Sequence, residues 1–191
     1  MPDNMKDEIL KAFEVIKNGG VILYPTDTVW GLGCDATKSK SVEKIFKLKK
    51  RPEKKSLIIL LDQYEKLYQY VEEVPEIAFD MMNSINTPLT IVYPKAKNIA
   101  KNLISGDGSI AIRVVKDEFC RKLISLMNKP LVSTSANITG QPTPLVFSKI
   151  SPEIIKGVDY VVNFAQTRIE QLKASTIIKF NEKGEYEIVR K

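Results

Sequence analysis

The chain has 191 residues, enough for one sizeable domain. It contains no histidine, which excludes Ser-His-Asp and Cys-His catalysis and histidine-ligated metals, and its two cysteines are too few for a disulfide scaffold. The net charge of +6 suits polyphosphate or nucleic acid as a ligand. No apolar run reaches the length of a membrane span and the N-terminus lacks the apolar core of a secretory signal, so we expect a cytoplasmic protein with reduced thiols and no membrane contact.

The first half of the chain alternates helical and strand patterns. Residues 5–18 predict a helix that Gly19 stops, and a second helix is expected to be capped by Ser39 or Ser41 and ended by Pro52. Short apolar runs predict strands at 20–25, 56–61 and 89–93, with helical segments at 63–71 and 75–84 between the last two.

The second half continues the alternation. The predicted elements are a strand at 109–115, a helix at 117–128, a strand at 130–134, a proline-rich loop at 138–146, a short helix from Pro152, and strands at 159–164, 174–180 and 185–190. About seven strands interleaved with helices predict an α/β domain whose sheet has parallel parts and a closing antiparallel pair. Without repeats or linkers, residues 1–191 are expected to form a single domain.

Two strands end in polar side chains, and these are the first candidates for a site. In the run YPTDTVWGLG, residues 26–28 carry three oxygen-bearing side chains, and Gly31 and Gly33 permit a tight or left-handed backbone beside a ligand. The alternative is a turn in which Trp30 fills the core, with Cys34 packed as a small apolar residue. Since ligands of open α/β sheets bind beyond the carboxyl ends of strands, we expect one site built from both halves of the chain.

The second polar strand end is the run KPLVSTSAN. Ser133, Ser135 and Asn137 could form a cradle of hydroxyl and amide groups for phosphate. The same residues could instead cap a following helix. The pattern alone leaves both interpretations open.

Basic residues supply the anion-binding chemistry. Lys49 and Arg51 lie at a helix end with Lys55 just beyond, a spacing that can hold a triphosphate, although a lysine run of this kind is often a solvated helix face. Ser109 and Arg113 share one face of a strand. Because Arg113 is flanked by apolar residues, it either pairs with a buried acid or meets an anionic ligand.

Taken together, these motifs resemble the YrdC-like threonylcarbamoyl-AMP synthases of the short, single-domain branch. The resemblance is carried by YPTDTVWGLGCDA, the K-x-R pair in KLKKRP, SIAIRV, KPLVSTSAN and KASTII. It implies a twisted mixed sheet with flanking helices around a large basic concave cleft. It also implies a reaction in which L-threonine, bicarbonate or CO2, and ATP give threonylcarbamoyl-AMP and pyrophosphate, after which partner proteins transfer the group to tRNA.

The resemblance also implies roles for individual residues. Lys49, Arg51, Ser135 and Asn137 match the family's paired catalytic signature. The expected threonine-binding residues are Thr28, Arg113, Ser133 and Ser175. The expected ATP-binding residues are Arg51, Lys55, Ser109, Ser135, Thr143 and Arg190. Mg2+ is expected to arrive with ATP, without a metal site on the protein.

The chain departs from the family at Asn86-Thr87-Pro88, where Pro-Gly-Pro is usual. Two other functions stay open. One is an RNA-binding module that uses the basic cleft, with weak tRNA contact also compatible with catalysis. The other is a domain that makes carbamoyl-adenylate, as in hydrogenase maturation.

Overall fold

The computed structural model describes residues 3–52, 57–167 and 175–191. Within these ranges lie six α-helices: α1 (Asp3–Lys17), α2 (Ser39–Leu48), α3 (Leu67–Tyr70), α4 (Glu76–Ser84), α5 (Glu118–Met127) and α6 (Pro152–Gly157). The same ranges contain nine strands: β1 (Ile22–Tyr24), β2 (Gly31–Gly33), β3 (Ile58–Leu61), β4 (Leu89–Tyr93), β5 (Ile110–Val114), β6 (Leu131–Ser135), β7 (Tyr160–Val161), β8 (Thr176–Phe180) and β9 (Tyr186–Arg190).

The strands form one mixed sheet in the order β7-β1-β2-β6-β3-β5-β4-β8-β9. The pairs β1–β7, β3–β5 and β4–β8 are parallel, and the closing pair β8–β9 is antiparallel. The predicted α/β class with a mixed sheet is therefore confirmed. The predicted count of about seven strands was too low, since the described residues form nine.

Strand β2 was not anticipated, because its two glycines resemble loop residues. A Cβ atom at Gly33 would lie 2.7 Å from Cε1 of Tyr24 and 2.8 Å from the carbonyl oxygen of Val132. Neither Gly31 nor Gly33 has a positive φ. The prediction of a tight or left-handed backbone at these glycines was therefore wrong, and β2 needs glycine because the Tyr24 ring packs directly against it.

Helices cover both faces of the sheet, and each face has its own core. The first core joins the sheet to α2, α3, α4 and α6, and it includes Ile59, Leu61 and Trp30. The second core joins the sheet to α1 and α5, and it includes Leu60 and Leu131. Neighbouring residues of β3 thus alternate between the two cores, as the two-residue repeat of a strand requires.

Helix ends were predicted with mixed success. Gly19 ends α1 as predicted, with a φ of +80° and a hydrogen bond from its amide to the carbonyl of Ile16. Neither predicted serine caps α2, whose N-cap is Lys38 without a side-chain bond, and the helix ends at Leu48, before Pro52.

Other boundaries also differ from the pattern. The segment 63–71 is a 3-10 turn, Tyr64–Lys66, followed by the four-residue α3. The strand expected at 159–164 is only the two-residue β7. Pro152 opens α6 as predicted, after a Ser151 side-chain cap. In the part of the chain that the structure describes, no helix is both long and apolar enough to cross a membrane.

Candidate active site

A cleft of about 450 Å3 lies on the face of the sheet that belongs to the second core. Ile112 and Ile91 pack into the first core, so their strand neighbours Arg113 and Thr90 point to the opposite face. There they meet the cleft instead of a helix. Its lining residues include Thr26, Thr28, Arg51, Ile58, Thr90, Arg113, Ser133, Ser135, Thr143, Ser175, Ile177 and Arg190.

The cleft is positively charged. Arg51, Arg113 and Arg190 line it, and none of the described lining residues is acidic. Burial, followed by the charge of Arg113, lowers the pKa of Arg190, and burial lowers the pKa of Arg51. Cations held in a partly desolvated cleft attract an anionic ligand more strongly than cations in water.

Arg113 combines the two alternatives left open by its sequence, because it pairs with an acid and also lines the cleft. Its Nη1 group donates to Asp27 Oδ1 at 3.2 Å and to Thr28 Oγ1 at 3.4 Å, and its Nε group donates to Thr90 Oγ1 at 3.2 Å. Burial raises the pKa of Asp27 despite the opposing effect of Arg113. The guanidinium group is therefore held on two sides by the protein while the residue lines the cleft.

The turn after β1 presents Thr28 to this arginine. Thr26 Oγ1 donates to the carbonyl of Val29 at 2.6 Å and accepts from the amides of Thr28 and Val29 at 3.1 and 3.2 Å. These bonds satisfy the turn locally and fix its shape. Thr26 and Thr28 of this turn line the cleft, as expected for oxygen-bearing side chains beside a ligand. Trp30 is fully buried and fills the core, as the alternative interpretation expected.

Lys49 differs from its expected place. Its side chain is buried, with 1% of the residue exposed, and Nζ donates to the carbonyl oxygens of Ser135 at 2.5 Å and Asn137 at 2.6 Å. Burial, followed by the charge of Arg51, lowers the pKa of Lys49 to about 8. Lys49 is not among the residues that line the cleft, and its donors hold the carbonyls of Ser135 and Asn137; a direct contact between Lys49 and phosphate stays a prediction.

That loop has its own hydrogen-bond network. Ser135 Oγ donates to Asn137 Oδ1 at 2.5 Å, and Asn137 Nδ2 donates to the carbonyl of Gln141 at 2.7 Å. The chain continues from β6 through turns to a 3-10 turn at Phe147–Lys149, with no helix directly after Asn137 in this described stretch. The helix-cap alternative therefore has no helix to cap. Ser135 lines the cleft, while Asn137 supports it from within the loop.

The remaining predicted residues divide into three groups. Thr28, Ser133, Thr143, Ser175 and Arg190 line the cleft with the residues above. Ser109 is not brought to the cleft, because its hydroxyl donates to Asp107 Oδ1 at 2.6 Å in the loop before β5. Lys55 lies outside the described residues.

Apart from the buried Lys49, the described lysines in and just after α2 are largely exposed to solvent. Lys44, Lys47 and Lys50 form ion pairs with Asp159, Glu43 and Glu153 at 3.7, 2.6 and 2.9 Å. The three side chains are at least 54% exposed, so each pair contributes little to stability. These contacts partly neutralise the charge of the exposed lysines in and just after α2.

Sequence reasoning missed Thr90, which is 1% exposed and lines the cleft. Its Oγ1 atom lies 2.9 Å from Ser175 Oγ, and Arg190 Nη2 lies 3.2 Å from the same serine oxygen. The only available signal was a single hydroxyl within the apolar run LTIVY.

The described residues contain no group of three or more acidic, cysteine or histidine side chains that could hold a metal. Cys34 and Cys120 are buried free thiols, and burial raises the pKa of both. Both thiols pack as small apolar residues, as the sequence indicated for Cys34.

Comparison with known proteins adds to this geometry. A family model named Sua5_yciO_yrdC, with the description "Telomere recombination", matches residues 14–191. The threonylcarbamoyl-AMP synthase of Pseudoalteromonas translucida is 37% identical over 158 residues, which cover 81% of this chain and 84% of that protein. The protein of the same name from Idiomarina loihiensis is 35% identical over 162 residues, which cover 83% and 87%.

A solved structure is also similar. P. abyssi Sua5 complexed with L-threonine gives a TM-score of 0.82 at 32% identity over 91% of this chain. The match covers 51% of the P. abyssi chain, so the present chain spans about half the length of that protein. The match to residues 14–191 and the similarity to two shorter relatives over most of their length lead to one conclusion. The chain belongs to the Sua5/YciO/YrdC family.

Proposed function

We propose that this protein is a threonylcarbamoyl-AMP synthase. It converts L-threonine, bicarbonate or CO2, and Mg2+-bound ATP to threonylcarbamoyl-AMP and pyrophosphate. The observation that carries the proposal is a cleft lined by three arginines and several hydroxyls, with no acid among its described lining residues. That cleft suits a reaction between anions. The name of the two shorter relatives supports threonylcarbamoyl-AMP as the product, and the L-threonine complex of the P. abyssi relative supports L-threonine as a substrate.

The amino acid is assigned to the Arg113 end of the cleft. The guanidinium group has Asp27 and Thr28 on one side and Thr90 on another, so it is already oriented when a carboxylate arrives. Orientation before binding reduces the entropy lost on association. Ser133 and Ser175, which also line the cleft, complete the proposed threonine site.

ATP is assigned to Arg51, Ser135, Thr143 and Arg190, with Lys55 as a further proposed contact. The arginine charge would offset the negative charge that develops as pyrophosphate leaves. Transfer at phosphorus depends mainly on positioning and on charge stabilisation, and it needs little side-chain acid–base chemistry. This matches a chain without histidine.

Lys49 and Asn137 act on the loop after β6 in this proposal. Lys49 donates hydrogen bonds to the carbonyls of Ser135 and Asn137, and the Asn137 side chain accepts a hydrogen bond from Ser135. The pair thereby holds the Ser135 hydroxyl where it lines the cleft. Their part in catalysis is to position Ser135 for the nucleotide.

The reaction is tested by pyrophosphate release with purified protein. We expect release only when Mg-ATP, L-threonine and bicarbonate are all present, because the adenylate cannot form without the carbamate of the amino acid. L-serine should be used less well, by roughly 10–200-fold, since a single methyl group distinguishes it from threonine. Equal release without any amino acid would show that the cleft hydrolyses ATP by another route.

Arg51 provides a second test. Arg51→Ala should lower kcat/KM for ATP roughly thirtyfold, or about 2 kcal/mol, because a charge-assisted contact to phosphate is lost. The melting temperature should change by only a few degrees. Lys47→Ala is the matched control, because Lys47 is exposed and pairs with Glu43 on α2. Normal turnover by the Arg51 variant contradicts its assignment to ATP.

The product would pass to proteins that transfer the threonylcarbamoyl group to tRNA, and weak direct contact with tRNA belongs to the same proposal. Residues 1–191 are proposed to form one domain that acts in the cytoplasm. The RNA-binding alternative would use the same basic cleft, and no observation on the described residues specifically favours it over the proposed reaction. Nothing in the cleft specifically favours carbamoyl-adenylate formation over the proposed reaction.

A further inference from the structure

Two hydroxyl groups connect two arginines from different strands in the cleft. Arg113 Nε on β5 donates to Thr90 Oγ1 on β4 at 3.2 Å, and Arg190 Nη2 on β9 lies 3.2 Å from Ser175 Oγ. The two hydroxyl oxygens lie 2.9 Å apart. Arg190 also donates from Nε and Nη2 to the carbonyl of Ser175, at 3.0 and 2.8 Å. A single row of hydrogen bonds thus joins the proposed threonine and nucleotide sides.

The protons in this row can be counted. Each hydroxyl accepts from one arginine and has one proton of its own. The bond between Thr90 and Ser175 uses one of the two hydroxyl protons. The other proton has no acceptor among the residues that the structure describes. Both residues line the cleft and are at most 2% exposed, so this proton is available to an acceptor bound in the cleft.

Arg113, on the proposed threonine side, also has N–H donors that the described residues do not use. Arg113 uses Nε for Thr90 and Nη1 for Asp27 and Thr28, while Nη2 makes no hydrogen bond within the described part of the protein. One side of the cleft therefore offers a guanidinium group and a hydroxyl proton together. A carboxylate, which has two acceptor oxygens and a negative charge, satisfies both kinds of donor.

We propose that Thr90 is a positioning residue that determines recognition of the substrate carboxylate. Its hydroxyl accepts a hydrogen bond from Arg113 and so fixes the guanidinium plane. The same hydroxyl also bonds Ser175 and so holds Ser175 within hydrogen-bond distance of Arg190. This inference rests on the proposed function and deepens it by adding a residue to the amino-acid site. Thr90 acts through Arg113 and Ser175, so the effect of its removal depends on whether the ligand has a carboxylate.

The test compares Thr90→Val, which removes the hydroxyl but keeps the branched shape, with Thr90→Ser, which keeps the hydroxyl. Binding of L-threonine and of L-threoninamide, which lacks the carboxylate, is measured by calorimetry on the free protein. In Thr90→Val the preference for L-threonine over the amide should fall at least about fivefold, because Arg113 loses its Nε partner. Thr90→Ser should keep the preference within about twofold of the parent.

Thr176→Val is the matched control, since Thr176 is a strand threonine of β8 that does not line the cleft. It should leave the preference unchanged. If Thr90→Val weakens both ligands equally, or if Thr90→Ser fails to restore the preference, Thr90 has only a packing role and the inference is overturned.

The proposed function fails separately from the inference. If the parent protein binds neither ligand and releases no pyrophosphate, the function itself is wrong, and the inference fails with it. If the parent binds L-threonine and releases pyrophosphate but the ligand preference survives in Thr90→Val, only the inference fails.

Discussion

Replacing Arg113 with lysine is expected to lower kcat/KM for L-threonine at least about a hundredfold, or roughly 3 kcal/mol. The guanidinium group is held by Thr90, Asp27 and Thr28 while it lines the cleft. An ammonium group has no planar fork and cannot contact these partners and a carboxylate together. Two charge-assisted hydrogen bonds of about 1.5–3 kcal/mol each account for the expected loss.

The measurement is steady-state pyrophosphate release with L-threonine as the varied substrate. Arg121→Lys is the control, because Arg121 is an exposed arginine of α5 away from this cleft, and it should behave as the parent does. A KM for L-threonine within about threefold of the parent in Arg113→Lys would remove Arg113 from the amino-acid site.

The second large effect concerns stability. Lys49→Met keeps an unbranched chain of similar length but leaves the carbonyls of Ser135 and Asn137 without their buried donor. Two buried carbonyls left without a donor should cost about 3 kcal/mol, which lowers the melting temperature by about 6–12 °C in a chain of this size. Turnover at a temperature where the variant is folded should also fall, at least about tenfold, because the loop that holds Ser135 is loosened.

The pH dependence of the stability lost in Lys49→Met identifies the cause of that loss. The pKa of Lys49 is about 8 in the folded protein, against 10.5 for an unperturbed lysine, so the unfolded chain binds more protons between these pH values. The free energy of unfolding of the parent therefore rises with pH through this window, relative to Lys49→Met. Its two short hydrogen bonds survive deprotonation, since a neutral amine retains two N–H donors.

Melting curves at pH 7.5 and 9.5 check this direction. The difference in melting temperature between the parent and Lys49→Met should be larger at the higher pH. A gap that narrows would mean that the ammonium form is the one that the fold stabilises. Lys47→Met is the control, because Lys47 is exposed and should show no such trend.

Much of the fold followed from local patterns. The apolar runs of β3, β4 and β6 and the amphipathic α1 and α5 are visible in the sequence because their burial repeats match a strand or a helix. Strand β2 was missed because its glycines are required by the ring of Tyr24, a contact between strands that no local pattern contains.

The site was predicted where polarity interrupts an apolar strand. Arg113, with apolar residues on both sides, is the clearest example, and Ser133 at the end of its strand is another. The burial of Lys49 was not visible in the sequence, because its hydrogen-bond partners lie 86 and 88 residues away. Thr90 was missed for the same reason, since its partner Ser175 is 85 residues away.

The position of β9 at the edge of the sheet affects how readily one side of the cleft opens locally. All five residues of β9 are exposed, and among the strands that the structure describes β9 has a neighbour on one side only. Backbone hydrogen bonds at such an edge open at a lower free energy than those of central strands such as β3 and β5. Arg190 is therefore supplied by an edge strand, while Arg113 is supplied by a central strand. We expect backbone exchange with solvent deuterium to be faster in β9 than in β5. The proposed amino-acid half of the cleft would then persist through local openings that release Arg190 from the proposed nucleotide half.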